Sequence, residues 1–166
     1  MFRQVELPDG VPGTLYLHSM PGRYEDWPTF LAEVERSRLD LIACLASASE
    51  IQAKSPSYGQ ARLAKLLPCE FRDFPTPDFG VPPMERLAAF KDFVTGLGAE
   101  LNGGATLLVH CAAGIGRTGI VATCLLLQLG VEREDAVRRV AVAGSGSEVP
   151  EQKELIVWYA TSLSPT

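Results

Sequence analysis

The stretch from residue 106 to residue 127 constrains this chain more than any other. Thr106-Leu107-Leu108-Val109 is a short apolar run that reads as a buried strand, and Ile120-Val121-Ala122-Thr123-Cys124-Leu125-Leu126-Leu127 reads as a buried helix. Between them lie His110-Cys111-Ala112-Ala113-Gly114-Ile115-Gly116-Arg117-Thr118-Gly119, a loop of small residues carrying one cysteine and one arginine. A helix that starts just after such a loop offers unpaired N–H groups and a partial positive charge, the setting in which an anion binds. The same field favours a thiolate, the nucleophilic form of cysteine. The Arg117 guanidinium can present a planar fork to two oxygens of one oxyanion.

The remaining segments supply partners for that strand and helix. Thr14-Leu15-Tyr16-Leu17 alternates as a strand, and residues 39–45 read as a second, buried one. Asp26 is placed to cap a helix opening at Trp27-Pro28, with Phe30, Leu31 and Val34 as its apolar stripe. Residues 46–57 read as a polar connection, residues 58–67 as a short helix, and residues 69–72 as a further strand. Pro75, Pro77, Pro82 and Pro83 surround Asp78, Phe79 and Gly80, so residues 74–83 form neither helix nor central strand. A helix follows from Pro83, with Met84, Leu87, Phe90, Phe93, Val94 and Leu97 toward the core, ending at Asn102-Gly103-Gly104. Residues 132–142 form another helix with Ala136, Val137 and Val140 on one face. Gly144-Ser145-Gly146-Ser147 reads as a flexible loop, and a last helix opens at Pro150 or Glu151 and ends near Trp158-Tyr159. Strands alternating with helices predict a single α/β domain over residues 1–166, a mostly parallel central sheet flanked by helices.

Composition narrows the partners. A net charge of −5 argues against a general nucleic-acid or anionic-membrane surface. No apolar run is long enough to span a bilayer, and the first residues lack the apolar segment of a signal peptide, so a cytoplasmic location is expected. The four cysteines, Cys44, Cys69, Cys111 and Cys124, form no C-x-x-C pair and are expected as reduced thiols. With two histidines, His18 and His110, and no metal-ligand spacing, neither a metal nor an organic cofactor is implied.

Cys111 and Arg117-Thr118, with His110 ahead and glycines inside the loop, resemble the Cys-x5-Arg-Ser/Thr signature of cysteine-dependent protein tyrosine and dual-specificity phosphatases. Pro77-Asp78-Phe79-Gly80-Val81-Pro82 resembles the acid loop of the tyrosine-specific branch, with Thr76 where that branch has tryptophan. Gly13 to Leu17 followed by Pro21-Gly22, residues 45–50, and Val149-Pro150-Glu151-Gln152 are similar to segments of the small kinase-associated and Cdc14-like branch.

The resemblance implies a tyrosine phosphatase fold and hydrolysis of phosphomonoesters through a cysteinyl-phosphate, with Cys111 as nucleophile. The backbone of Ala112, Ala113, Gly114, Ile115 and Gly116, with Arg117, would cradle the phosphate. His110 would order the loop and favour the thiolate, Thr118 Oγ1 would hydrogen-bond the Cys111 sulfur, and Gln152 would guide water. Asp78 would be general acid and then base, with Asp73 as its rival. Glu50 and Tyr58 fall on a segment that borders the pocket in relatives, with Tyr58 either lining an aryl wall or packed in a helix. Cys44 is either a small core residue or the partner of Cys111 in a protective disulfide.

Relatives acting on inositol lipids or polyphosphates carry lysines in this loop. Here Ala112, Ala113 and Ile115 stand at its variable positions. That favours a phosphorylated protein or peptide bearing phosphotyrosine, with dual specificity as the alternative. A phosphoinositide enzyme, a catalytically dead phosphopeptide reader, and a sulfur-transfer or arsenate-reducing protein rank lower. A monomer is expected.

Overall fold

The computed structural model describes residues 1–163. Its elements, in chain order, are β1 (Arg3–Val5), β2 (Thr14–His18), α1 (Trp27–Ser37), β3 (Leu41–Cys44), α2 (Ala48–Lys54), α3 (Pro56–Leu63), β4 (Glu70–Asp73), a 3-10 turn (Met84–Arg86), α4 (Leu87–Asn102), β5 (Thr106–His110), α5 (Gly116–Gln128), α6 (Arg133–Val142) and α7 (Pro150–Leu163). The five strands form one sheet in the order β1-β2-β5-β3-β4. β2, β5, β3 and β4 are parallel, and β1 runs antiparallel along β2 with Arg3 opposite Leu17. The expected α/β architecture with a mostly parallel sheet is therefore present. Parallel strands end on the same side, so the loops that follow β2, β3, β4 and β5 gather at one edge of the sheet. The antiparallel run of β1 brings Arg3 to that edge too.

Alternation along the strands sorts their side chains onto two faces. Leu15, Leu17, Leu41, Ala43, Leu107 and Val109 face α4, α5, α6 and α7, while Ile42, Cys44 and Leu108 pack with Phe30, Val34, Ile51 and Tyr58 of α1, α2 and α3. α5 is the central helix: every residue from Gly116 to Leu127 is buried. Each fully buried leucine on it contributes about 1.5–3 kcal/mol, so the helix that begins at the small-residue loop is also the best anchored one.

Asp26 caps α1 as expected, its side chain accepting from the Thr29 N–H at 2.7 Å. Other expectations shift. Residues 46–57 are not merely a connection: Ser47 and Glu50 form a reciprocal capping box that opens α2. Leu31 and Val137 are exposed, and Met84 is 85% exposed because it sits on the 3-10 turn outside α4 rather than in its register. β1 was not anticipated, being three residues long and lacking an apolar pattern. Within the 144–147 loop Ser145 is buried and fastened, its Oγ donating to the Gly114 carbonyl. No helix is long and apolar enough to cross a membrane among the described residues.

Candidate active site

The loop between β5 and α5 is shaped by where its carbonyl oxygens go. The Cys111 carbonyl accepts from His110 Nδ1 at 3.0 Å, and the Ala112 carbonyl from the Met20 N–H at 3.1 Å. The Gly114 carbonyl accepts from Arg3 Nη2 and from Ser145 Oγ, each at 2.6 Å. The Ile115 carbonyl accepts from the Gly119 N–H at 2.7 Å and the Gly146 N–H at 3.4 Å. In a trans peptide the carbonyl and the following N–H point in opposite directions. Each carbonyl tied outward therefore turns the next N–H inward, at Ala112, Ala113, Ile115 and Gly116. Among the described residues none of these four N–H groups has a backbone acceptor outside the loop. α5 opens at Gly116 without any side-chain cap on its first turn. The result is a ring of inward donors at a helix N-terminus, an anion cradle.

Two of the glycines are required by their surroundings. Gly114 has φ +76°, in the left-handed region, and a Cβ there would run into the His18 carbonyl. A Cβ on Gly116 would run into Glu148 Oε2.

Cys111 is 3% exposed at the floor of the cradle, and the Gly114 N–H donates to its sulfur at 3.2 Å. Thr118 Oγ1, expected on that sulfur, is instead buried without a hydrogen-bond partner, as is Arg117 Nε.

His110 is fully buried. A carbonyl only accepts, so its contact with the Cys111 oxygen places the proton on Nδ1, and Nε2 then accepts from Tyr58 O–H at 2.8 Å. Burial pushes the imidazole down to about 3. It is neutral, so it orders the loop through hydrogen bonds and does not favour the thiolate by charge. Tyr58 is buried beneath it and lines no wall.

Arg117 is 2% exposed. Its Nη1 and Nη2 meet Glu50 Oε2 and Oε1 at 2.9 and 3.0 Å, a two-pronged pair. Nη2 also reaches Asp78 Oδ1 at 2.9 Å, and Nη1 the Thr76 carbonyl at 3.0 Å. Burial works against the Arg117 charge, but Glu50, Cys111 and Asp78 together hold its pKa above the ordinary value. Burial would likewise raise the Glu50 carboxyl, yet hydrogen bonds from Arg117 and the Ser47 N–H carry it lower. Lys54 Nζ lies 3.7 Å from Glu50 and 3.9 Å from Asp78, adding a cation outside the loop.

Asp78 and Phe79 are the central residues of a turn closed by the Gly80 N–H on the Pro77 carbonyl at 3.0 Å. Phe79 has φ +54°, an uncommon conformation for an aromatic residue, and its N–H donates to Asp78 Oδ1. Thr76 is buried, its N–H on the Leu45 carbonyl at 3.1 Å and its carbonyl on Arg117. The root of the acid loop is thus fastened by the backbone of Thr76 to the arginine itself. Asp73, the rival acid, is held by Arg62 Nη2 at 2.7 and 2.8 Å, away from the cradle contacts.

Gln152 is fully buried. Its Oε1 accepts from the Glu148 N–H at 2.7 Å and its Nε2 donates to the Gly80 carbonyl at 3.3 Å. These bonds join the start of α7 to the acid loop, and Nε2, which keeps a second N–H, also lies beside Gly116 of the cradle. Cys44 pairs with His110 across β3 and β5 and faces α3, whereas Cys111 belongs to the core of the opposite face. Cys44 donates to the Ala46 carbonyl at 3.6 Å, burial pushes its thiol up to about 11, and it is not placed to bridge Cys111.

Arg3, Ser145 and Glu148 were not singled out in the sequence. Arg3 Nη1 also donates to the Ala143 carbonyl at 3.1 Å. Burial lowers the Arg3 guanidinium, partly offset by attraction to Cys111. No local motif marks these three residues; the one available signal was the Gly-Ser-Gly-Ser run, whose small residues permit close approach to α5, as the collision of a Gly119 Cβ with Gly146 illustrates. Among the described residues no group of three or more His, Cys, Asp or Glu side chains is placed to hold a metal ion.

Comparison with known proteins points to one family. The model of the tyrosine phosphatase family matches residues 21–140. A protein of Cupriavidus necator described as a tyrosine-protein phosphatase is 38% identical over 127 residues, covering 63% of this chain and 45% of its own length. The phosphatidylinositol 3,4,5-trisphosphate 3-phosphatase and protein-tyrosine-phosphatase PTEN1 of Arabidopsis thaliana is 28% identical over 95 residues, 55% of this chain and 23% of that one. The matched segment therefore spans less than half of either relative. The crystal structure of kinase associated phosphatase with its catalytic cysteine replaced by serine superposes with a TM-score of 0.79 at 19% identity, covering 100% of this chain and 97% of that one.

Proposed function

This chain belongs to the tyrosine phosphatase family, the cysteine-dependent group that includes dual-specificity enzymes, and on that premise we propose that it hydrolyses phosphotyrosine on protein or peptide substrates. The observation that carries this reading is the ring of inward N–H groups closed over Cys111 by Arg117. In the first half-reaction the Cys111 thiolate attacks phosphorus, the P–O bond to the leaving group breaks, and Asp78 gives its proton to the departing oxygen. The cradle and the Arg117 fork hold the three equatorial oxygens as charge develops. In the second, water attacks phosphorus, the P–S bond breaks, and inorganic phosphate leaves with the thiolate restored and the water proton taken by a carboxylate. For phosphate to take the fork, Arg117 Nη2 exchanges Asp78 for substrate while Glu50 keeps its grip.

Preference for an aryl ester is supported by the rim. Tyr24, Phe79 and Ile115 are exposed at 65%, 61% and 41%, on three loops that border the cradle. Isolated aromatic and aliphatic side chains around a charged site suit a phenyl ring followed by a phosphate. The variable loop positions carry no lysine, which supports a single phosphate over a polyphosphorylated inositol. A panel of phosphotyrosine, phosphoserine and phosphothreonine peptides with a phosphoinositide tests this directly. Highest kcat/KM on phosphotyrosine is expected. Equal rates on the three peptides would make the enzyme dual-specific, and highest rates on the lipid would overturn the reading.

A further inference from the structure

The second half-reaction needs a group to hold water and take its proton. Gln152 also lies beside Gly116, but its Oε1 is taken by the Glu148 N–H, and the N–H left free on Nε2 can hold a water without taking its proton. Asp78, once it has given up its proton and yielded Arg117 Nη2 to the phosphoryl group, still lies within reach of the Phe79 N–H and Lys54. Glu148 differs from both. Its carboxylate is exposed and lies so close to Gly116 that a Cβ there would collide with Oε2, which sets it at the rim of the cradle beside an inward N–H donor. Among the described residues its side chain makes no ion pair or hydrogen bond, while its backbone is fixed by Gln152 Oε1 on its N–H at 2.7 Å. The buried amide thus pins the loop that carries a free carboxylate and ties that loop to Gly80, two residues past Asp78.

An unpaired carboxylate beside an anion site repels the substrate that the cradle attracts. A carboxylate is, however, the acceptor that an attacking water needs once the leaving group has gone.

We infer that Glu148 is the general base of the second half-reaction and Gln152 the residue that positions it. The inference rests on the phosphatase reading above. Water attacks the phosphorus of cysteinyl-phosphate, its proton passes to a Glu148 carboxylate oxygen, the P–S electron pair returns to Cys111, and Glu148 then releases the proton to solvent. The two halves of the cycle thereby use different carboxylates, Asp78 as acid and Glu148 as base.

The test is E148Q, read in single turnover with p-nitrophenyl phosphate and by intact mass after acid quench. Release of p-nitrophenol in the first turnover should be no slower than in wild type, because the neutral side chain no longer repels the substrate. The phosphoenzyme should then decay about 10²-fold more slowly, and the acidic limb of kcat should disappear while the pH profile of kcat/KM stays as in wild type. Q152A should slow the same decay by a smaller factor. Phosphoenzyme decay in E148Q at the wild-type rate, or an unchanged acidic limb of kcat, would overturn the assignment and leave the proposed activity standing. Failure of wild type itself to release p-nitrophenol would instead overturn the activity.

Discussion

The floor and the lid of this site are built from different materials. The floor, residues 110–116, is held all along its own backbone: four of its carbonyls are tied outward, two by the Met20, Gly119 and Gly146 amides and two by the Arg3, Ser145 and His110 side chains. It sits between a central strand and the most buried helix. The lid, residues 74–83, is half exposed and is held by side chains from other elements, two of them at the site itself: Arg117 on Thr76 and Asp78, Gln152 on Gly80, and Arg86 on the Pro75 carbonyl at 3.0 Å. A cradle must keep its donors aimed before substrate arrives, so rigidity serves it. An acid must meet a leaving oxygen and let product go, so few and exchangeable contacts serve it. Arg117 is shared by both, and binding of phosphate to its fork is a signal that the lid can feel.

The sharpest way to break this comparison is at the shared residue. Arg117→Lys keeps the charge but loses the fork that serves phosphate, Glu50 and Asp78 together, and kcat/KM on a phosphotyrosine peptide should fall by about 10³-fold or more. Near-wild-type kinetics would mean that the two regions do not meet there. Next comes the lid alone: Asp78→Asn should lower kcat on the peptide by about 10²-fold, and less on p-nitrophenyl phosphate, whose leaving group needs little protonation. Asp73→Asn should leave both rates at the wild-type level, and the reverse ranking would move the acid to Asp73.

The floor is tested by Arg3→Met. Losing one donor to the Gly114 carbonyl loosens the Ile115 N–H, and kcat/KM should fall by about 10-fold with the circular dichroism spectrum unchanged. The smallest effect is on stability. Tyr58→Phe removes the donor to His110 Nε2 and should cost about 1–2 kcal/mol in urea unfolding while turnover persists.

The histidine also sets a pH dependence. Its pKa is about 3 in the folded chain against 6.5 as the ordinary value. Between those values the unfolded chain binds the extra proton, so its contribution to stability is complete above pH 6.5 and is lost as pH falls toward 3. Urea midpoints from pH 7 to 4 should therefore drop in wild type and drop less in His110→Asn.

The same contrast explains what could be read from the sequence. The floor was legible because its chemistry is contiguous: strand, cysteine, small residues, arginine and helix follow one another, and local pattern implies local geometry. The acid loop was legible as a loop because prolines exclude helix and strand. Its fastenings were not, because they come from Lys54, Arg86, Arg117 and Gln152 on other elements. Arg3 was invisible for a related reason. Its role depends on β1 pairing antiparallel with β2 so that residue 3 arrives at the edge where β5 ends, and three residues carry no periodicity from which to infer a strand. The Cys44–Cys111 pairing looked possible while the strands were only neighbours. Register decides it, since Cys44 is level with His110 and shares its face. Likewise Gln152 carried the amide suited to guiding water, but only the fold shows that the same amide also joins the Glu148 N–H to the Gly80 carbonyl.

The central claim is that the Cys111 sulfur becomes covalently bonded to phosphorus. The most direct measurement is intact-protein and peptide mass after rapid acid quench of wild type with p-nitrophenyl phosphate, alongside Cys111→Ser. A single phosphoryl adduct is expected on the peptide carrying Cys111, with neither adduct nor turnover in the serine variant. Turnover by Cys111→Ser, or an adduct mapped to any other residue, would contradict it.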